Sequence, residues 1–176
     1  MNFVIFISGT IVLIFFTWWF SLKNKRYHGI YRFFALESIF AMILMNSSSW
    51  FSDPFSVSQL FSWSFLTLSL VLAIHGFYLL YRIGQPEIKQ NAETTTRLVK
   101  RGAYHYIRHP LYASLILLCL GVYLKQPSMI GTILLLVTTL SAFMTAKVEE
   151  QEMIRKFGRE YEDYIQTTSM FIPRII

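Results

Sequence analysis

Long apolar runs separated by short polar segments dominate this chain. A helix needs roughly 20 mostly apolar residues to cross a bilayer. Three runs meet that length, and a shorter fourth run is followed by a fifth after a Lys-Gln-Pro break: 3–22, 33–51, 60–81, 111–124 and 128–146. The pattern predicts an all-α integral membrane protein with about five transmembrane helices, of which the last two form a helical hairpin.

Basic residues give this arrangement an orientation. Of the 16 Lys and Arg residues, only Lys125 falls in the segments 52–59 and 125–127, and the other fifteen fall in segments on the opposite side. Loops rich in Lys and Arg stay in the cytoplasm. The N-terminus is therefore expected outside and the C-terminus inside. No Lys or Arg precedes Lys23, so residues 3–22 are expected to remain as a helix rather than be cleaved as a signal peptide.

Composition supports the membrane interpretation. Hydrophobic residues make up 54% of the chain and charged residues 15%, whereas soluble domains carry roughly 25% charged residues. The net charge of +6 reflects the cytoplasmic loops and gives no reason to expect nucleic acid as a partner. One domain is expected over 1–176, with three helices in 1–90 and a chemical core in 91–176.

Two ionisable residues, Glu37 and His75, fall inside predicted spans. Such residues are costly in a bilayer and often functional. Glu37 is expected to reach water or Arg32, and His75 to hydrogen-bond a neighbouring helix. A functional role for either stays open.

Side chains that can take part in binding or catalysis are concentrated in residues 97–112. Gly102 allows a turn, and three tyrosines offer flat faces. Arg108 and His109 offer hydrogen-bond donors. Pro110 is favoured in the first turn of a helix, and the N–H groups at such a helix start can bind an anion.

A second cluster, Glu149 and Glu150, follows the fifth run, and Gly158 is expected to end its helix. Because a hairpin returns its two ends to one face, this cluster is expected beside Arg108 and Tyr112. Together they suit S-adenosylmethionine. Its carboxylate can pair with an arginine, its ammonium and ribose with carboxylates, and its sulfonium with an aromatic face. The alternative is a basic surface with interfacial tyrosines that faces anionic lipid.

The spacing of His105 and His109 is that of a helical metal pair. The residue before a proline avoids helical geometry, however, so the two are not expected to share a helix, and no metal site is predicted.

At these residues the chain resembles the isoprenylcysteine carboxyl methyltransferases and is similar to the related phospholipid N-methyltransferases. Those families show G-x-Y-x-x-x-R-H-P-x-Y, then an E-E pair and F-G-x-x-Y-x-x-Y with a late proline. The matching residues are Gly102, Tyr104, Arg108, His109, Pro110, Tyr112, Glu149, Glu150, Phe157, Gly158, Tyr161, Tyr164 and Pro173.

The resemblance implies a membrane methyltransferase that uses S-adenosylmethionine at the cytoplasmic face and takes a lipophilic substrate from the bilayer. Glu149 is placed near the methyl acceptor and, with Arg108, is predicted to be catalytic; a hydroxyl or amine acceptor needs a general base, for which Glu149 is the candidate. The residues carried over to the cofactor site are Tyr104, His105, Arg108, His109, Pro110, Tyr112 and Glu150.

The chain departs from the family pattern at three positions. Arg97 and Ser114 replace a His and a Gly, and Thr145 replaces an Arg that precedes the acidic pair in the carboxyl methyltransferases. A buried carboxylate acceptor needs a positive partner, and Lys147 offers only a point charge. A hydroxyl, thiol or amine acceptor is therefore favoured over a prenylcysteine-like carboxylate.

Two other functional classes stay open. Sterol reductases share a similar C-terminal half and bind NADPH, but they usually have about ten helices and an Asn where this chain has Leu111. The other is a membrane protein that keeps the fold without catalysis. The sequence predicts no oligomeric state.

Overall fold

The structure, a computed structural model, describes residues 3–20, 28–84 and 96–175. Within these ranges the secondary structure is helical apart from an isolated bridge between Ile107 and Ser169. A 3-10 turn occupies Ser47–Ser49. The α-helices in chain order are α1 (Phe3–Phe20), α2 (His28–Met45), α3 (Val57–Arg82), α4 (Ala103–Tyr106), α5 (Pro110–Tyr123), α6 (Met129–Phe157) and α7 (Arg159–Thr167).

Each of the five apolar runs overlaps one helix, in chain order α1, α2, α3, α5 and α6. In the described part of the chain, α3 and α6 are long and apolar enough to cross a membrane, and α1 and α5 contain shorter apolar stretches. The helical class is confirmed, and the count of five spans stays a prediction.

One predicted end was wrong, and another was confirmed. The second span was predicted to reach residue 51, but α2 ends at Met45. Directly after this end, Asn46 donates its side-chain Nδ2 to the backbone oxygen of Val122, 76 residues away, at 2.8 Å. The helix of the fifth run was predicted to stop at Gly158, and α6 ends at Phe157. No Gly or Pro interrupts the polar continuation before Gly158, the predicted stop.

The chain divides into two compact units. The first unit comprises Met1–Ser69 with Leu115–Thr145, and the second unit comprises Leu70–Ser114 with Ala146–Ile176. The core of the first unit contains four buried residues from α2 and α5, with Leu66, Leu134 and others packed against them: Ile39, Met42, Cys119 and Val122.

Polar side chains are also buried in the first unit. Lys125, between α5 and α6, is 5% exposed. Its Nζ donates to Gln59 Oε1 at 2.9 Å and to the Trp50 oxygen at 3.4 Å, and it lies 3.7 Å from the centroid of the Trp63 ring. Desolvation by burial lowers the pKa of Lys125. In the same unit, the Thr10 hydroxyl donates to Glu37 Oε1 at 2.6 Å.

Two glycines shape the second unit. Gly102 (φ +59°) precedes α4 and Gly158 (φ +56°) precedes α7, and both lie where side-chain-bearing residues are strained. Gly102 is also closely packed, because a Cβ there would lie 2.5 Å from His75 Nε2 and 2.7 Å from Leu79 Cδ1. The absence of a side chain therefore lets the start of α4 approach α3.

Candidate functional site

The segment between α4 and α5 brings the central motif into position. α4 ends at Tyr106, Ile107 is extended (φ −133°, ψ 139°), and Pro110 begins α5. Both the helix start at Pro110 and the separation of the two histidines are as predicted, since His105 lies in α4 and His109 immediately precedes α5. Pro110 is fully buried.

This segment pairs with the chain after α7. The backbone N–H groups of Arg108 and His109 donate to the oxygens of Ser169 and Met170 at 2.8 and 3.1 Å. Ser169 N–H donates in return to the Tyr106 oxygen at 3.2 Å. The N–H group of His109, part of the predicted anion site at the start of α5, is thus used within the chain.

Arg108 lies in the interior of the second unit. Its Nε donates to Glu150 Oε1 at 2.7 Å, and the two side chains are 7% and 5% exposed. Its Nη1 also donates to the backbone oxygens of Ile165, at 3.3 Å, and of Thr168. The predicted proximity of Arg108 to the acidic pair is confirmed, and these bonds make Arg108 a positioning residue for Glu150 and the tail.

His109 lies between the two carboxylates. Its Nδ1 is 3.7 Å from Glu149 Oε2, and its Nε2 is 3.6 Å from Glu150 Oε1. These distances are too long for hydrogen bonds, so His109 lies beside both carboxylates without a hydrogen bond to either. Nε2 is buried and has no hydrogen-bond partner among the residues that the structure describes. Buried polar atoms are normally hydrogen-bonded to protein, water or a ligand. A bound ligand could therefore supply the hydrogen bond of this atom.

The two carboxylates differ in exposure. Glu150 is buried, and its Oε2 also contacts Lys147 Nζ at 3.3 Å. Burial alone would raise the pKa of Glu150, but His109 and Arg108 outweigh it and lower the pKa to about 2. Glu149 is 23% exposed in its side chain, and Tyr112 donates its hydroxyl to Glu149 Oε1. Glu150 therefore stays ionised inside the network, while the Glu149 carboxylate is accessible from outside it.

Buried tyrosines surround this network. Tyr164 donates its hydroxyl to the backbone oxygen of Tyr104, and Tyr161 packs edge-on against Tyr164 with 5.7 Å between ring centroids. Burial raises the pKa of all three phenols. They are neutral over the physiological range and brace α7 against α4.

His105 does not belong to the buried network. It is exposed, stacks edge-on against Tyr106 with 4.9 Å between ring centroids, and lines a separate surface cavity. Its predicted role at the cofactor stays a prediction. Sequence reasoning missed the contribution of residues 165–170. They act through backbone oxygens, which every residue type has, so no residue type signals this role.

Residues 57–160, more than half of the chain, match the profile of the family described as phospholipid methyltransferase. Methanethiol S-methyltransferase 1 of Bradyrhizobium diazoefficiens is 38% identical over 72 residues, which are 40% of this chain and 24% of that protein. The similarity thus spans about a quarter of the relative's length. No solved structure matches the chain significantly.

Proposed function

Because the chain belongs to the phospholipid methyltransferase family, as its motifs predicted, we propose that it transfers a methyl group from S-adenosylmethionine to a lipophilic acceptor at the cytoplasmic membrane face. The observation that carries the proposal is the Arg108–Glu150–His109–Glu149–Tyr112 network. It unites both halves of the family motif in the interior of one compact unit.

The residues of this network fit the proposed cofactor. His109 Nε2 is a buried polar atom without a hydrogen-bond partner among the described residues, so it can bond a group of the cofactor. The half-buried Glu149 carboxylate can accept hydrogen bonds from hydroxyl or ammonium groups. Tyr112 adds an aromatic face, which suits a cation. Arg108, whose guanidinium bonds Glu150 and two backbone oxygens, supports the site by holding Glu150 in place. When bound, S-adenosylmethionine supplies a methyl group already activated by the sulfonium charge.

The acceptor group is proposed to be a hydroxyl, thiol or amine. Thr145, which stands where carboxyl methyltransferases carry an Arg, is fully buried and donates its hydroxyl to the Ser141 oxygen at 2.8 Å. Lys147, the other candidate cation, lies 3.3 Å from Glu150 Oε2. Neither provides a dedicated positive partner for a carboxylate acceptor. The relative's name specifies a thiol acceptor, so a thiol belongs among the candidates.

Glu149 is the proposed general base. As the acceptor atom bonds the methyl carbon, the bond from that carbon to the sulfonium sulfur would break and S-adenosylhomocysteine would leave as a neutral thioether. The proton of a hydroxyl or amine acceptor would pass to a Glu149 carboxylate oxygen. The Tyr112 hydroxyl, which donates to Glu149 Oε1, fixes the carboxylate for this transfer. Holding methyl donor and acceptor together in the reactive geometry can supply roughly 7–11 kcal/mol of the barrier reduction.

The acceptor is proposed to enter sideways from the bilayer. α5 has 14 residues and α6 has 29, which correspond to about 21 and 44 Å at 1.5 Å per residue. A helix as short as α5 cannot cover the full hydrocarbon thickness, and the uncovered part gives an alkyl chain access.

Glu149→Gln tests the acceptor chemistry. We expect it to lower transfer to a hydroxyl or amine by about 10²–10⁴-fold, the usual contribution of a general base, and to spare transfer to a carboxylate or a thiolate. Purified protein in lipid extracts with labelled methyl donor, followed by lipid mass spectrometry, gives the readout. If labelled product formed only on water-soluble acceptors, the lipophilic acceptor would have to be abandoned.

Calorimetry with S-adenosylhomocysteine and with NADPH tests the cofactor. We expect S-adenosylhomocysteine to bind and NADPH not to bind. Binding of NADPH alone would favour the reductase alternative, and binding of neither would favour a non-catalytic protein.

Cysteine accessibility tests the proposed topology. Ser52→Cys and Lys156→Cys introduce thiols at exposed positions in segments predicted outside and inside. The native Cys119 is buried and gives little background. An impermeant reagent on intact cells should label residue 52 and spare residue 156, and the reverse pattern would refute the orientation.

A further inference from the structure

The second unit contains a surface cavity whose lining includes none of the residues of the Arg108–Glu150–His109–Glu149–Tyr112 network. Its volume is about 490 Å³, within the range of roughly 300–1,000 Å³ typical of ligand pockets. It is lined by the end of α7, the turn after it, and residues around α4. Tyr106 and Ile175 contribute exposed apolar surface at 62% and 73% exposure.

Positive charge is concentrated on this cavity. Three of its lining side chains, Lys100, His105 and Arg174, are basic or can become cationic, and none of the described lining residues is acidic. Thr167 and Ser169 add hydroxyl groups. Outside the lining, Glu160 contacts Lys100 Nζ at 3.0 Å and partly offsets its charge.

The backbone after α7 positions the most distant of these cations. Arg174 has φ +66°, a conformation that non-glycine residues adopt at a cost. Its N–H donates to Ser169 Oγ at 2.9 Å. This turn folds the tail back, so that Arg174 lines the same cavity as Lys100.

The structure separates the two interpretations that the sequence left open for the basic stretch 97–112. Arg108 and His109 lie inside the buried network, 7% exposed in their side chains. Lys100, His105 and Tyr106 line the cavity instead. One segment therefore contributes to a reaction site and, with different residues, to an anion-attracting surface.

We propose that this cavity binds a phosphate-bearing anion. A phosphate group carries negative charge and several strong acceptor oxygens, which match cationic side chains beside hydroxyls. Basic pockets at the cytoplasmic face of membrane proteins suit lipid phosphates. The exposed Tyr106 and Ile175 beside the cations provide a surface for the apolar part of a lipid. A lipid headgroup and free phosphate share the recognised chemistry.

Binding to purified protein in neutral detergent tests the proposal. The probes are inorganic phosphate, dihexanoyl phosphatidylglycerol and S-adenosylhomocysteine. Lys100→Ala and Arg174→Ala should each lower affinity for the phosphate probe that binds by about fivefold, the effect of roughly one surface cation. Glu160→Gln should raise that affinity by releasing Lys100 from its partner. Affinity for S-adenosylhomocysteine should stay unchanged in all three variants.

Matched controls separate a site from general charge. Lys156→Ala removes an exposed cation elsewhere, and Glu162→Gln removes an exposed carboxylate from α7; neither should change phosphate affinity. Binding of phosphatidylglycerol alone identifies a lipid headgroup as the occupant, and binding of inorganic phosphate as well identifies the phosphate group as sufficient. Absence of binding by both phosphate probes overturns the proposal. Equal effects in the control variants, or a parallel loss of S-adenosylhomocysteine affinity, also overturn it.

Discussion

In the part of the chain that the structure describes, Lys125 in the first unit and Arg108 in the second unit are buried cations that are held in different ways. Lys125 in the first unit is stabilised by neutral partners: an amide oxygen, a backbone oxygen and the Trp63 ring. Arg108 in the second unit bonds the Glu150 carboxylate at 2.7 Å and two backbone oxygens. Both side chains are almost fully buried.

The difference shows in the charge state of the surroundings. Desolvation without a described counter-ion lowers the pKa of Lys125, so burial there favours loss of charge. Around Arg108, His109 and the guanidinium together lower the pKa of Glu150 and keep it ionised despite burial. Neutral partners thus only hold the buried side chain in place. Charged partners also create a fixed electric field, of the kind that stabilises charge in active sites.

The largest expected effect comes from Arg108→Met. It leaves the Glu150 carboxylate buried without its main partner, and breaking such a pair costs about 3–5 kcal/mol. We expect the free energy of unfolding in detergent to fall by that amount. In Arg108→Met/Glu150→Gln, which removes both charges, part of the loss should return. If the double variant were less stable than the single one, the charge pair would not be the cause.

A pH titration of Glu150→Gln gives the next largest effect. The pKa of Glu150 lies at about 2 in the folded protein, below its ordinary 4.5. Its stabilising contribution is therefore present above pH 4.5 and is lost as pH falls towards 2. The lowered pKa corresponds to about 3 kcal/mol, so the stability difference between wild type and variant should shrink by about that much from pH 5 to pH 2. Glu162→Gln, at an exposed position, should show no such convergence.

Lys125→Met should have the smallest effect. It removes the cost of burying a charge but leaves the buried Gln59 oxygen without its donor, which costs about 1–3 kcal/mol. We expect a net loss of about 1 kcal/mol or less in unfolding free energy, and unchanged affinity for S-adenosylhomocysteine. A loss as large as that of Arg108→Met would mean that Lys125 has a charged partner after all.

Hydropathy predicted where the long helices lie because apolar runs and helical spans share one physical cause. Hydropathy alone does not locate helix ends. α6 continues for eleven residues beyond Ala146, and its stop was predicted from Gly158 and not from hydropathy. α2 ends at Met45 although its apolar run continues to residue 51, and Asn46 beyond it bonds the distant backbone oxygen of Val122.

The site was predictable to the extent that it depends on side-chain identity. The pairing of Arg108 and Tyr112 with Glu150 and Glu149 followed from the hairpin and is present. The roles of Ile165, Thr168 and Ser169 were not predictable, because their backbone oxygens do the bonding. His105 shows the opposite failure: its place in the motif suggested the cofactor site, while its side chain lines the neighbouring cavity.

The bond that the Arg108 side chain donates to the chain after α7 has a consequence for biosynthesis. Arg108 and its acceptor Thr168 are 60 residues apart, and a ribosome adds about 5–20 residues per second. For roughly 3–12 s the arginine has been made while its final partner has not. The hydrogen-bond network around Arg108 is therefore completed late in synthesis, and a chain that stalls before residue 168 lacks the last acceptor of the guanidinium.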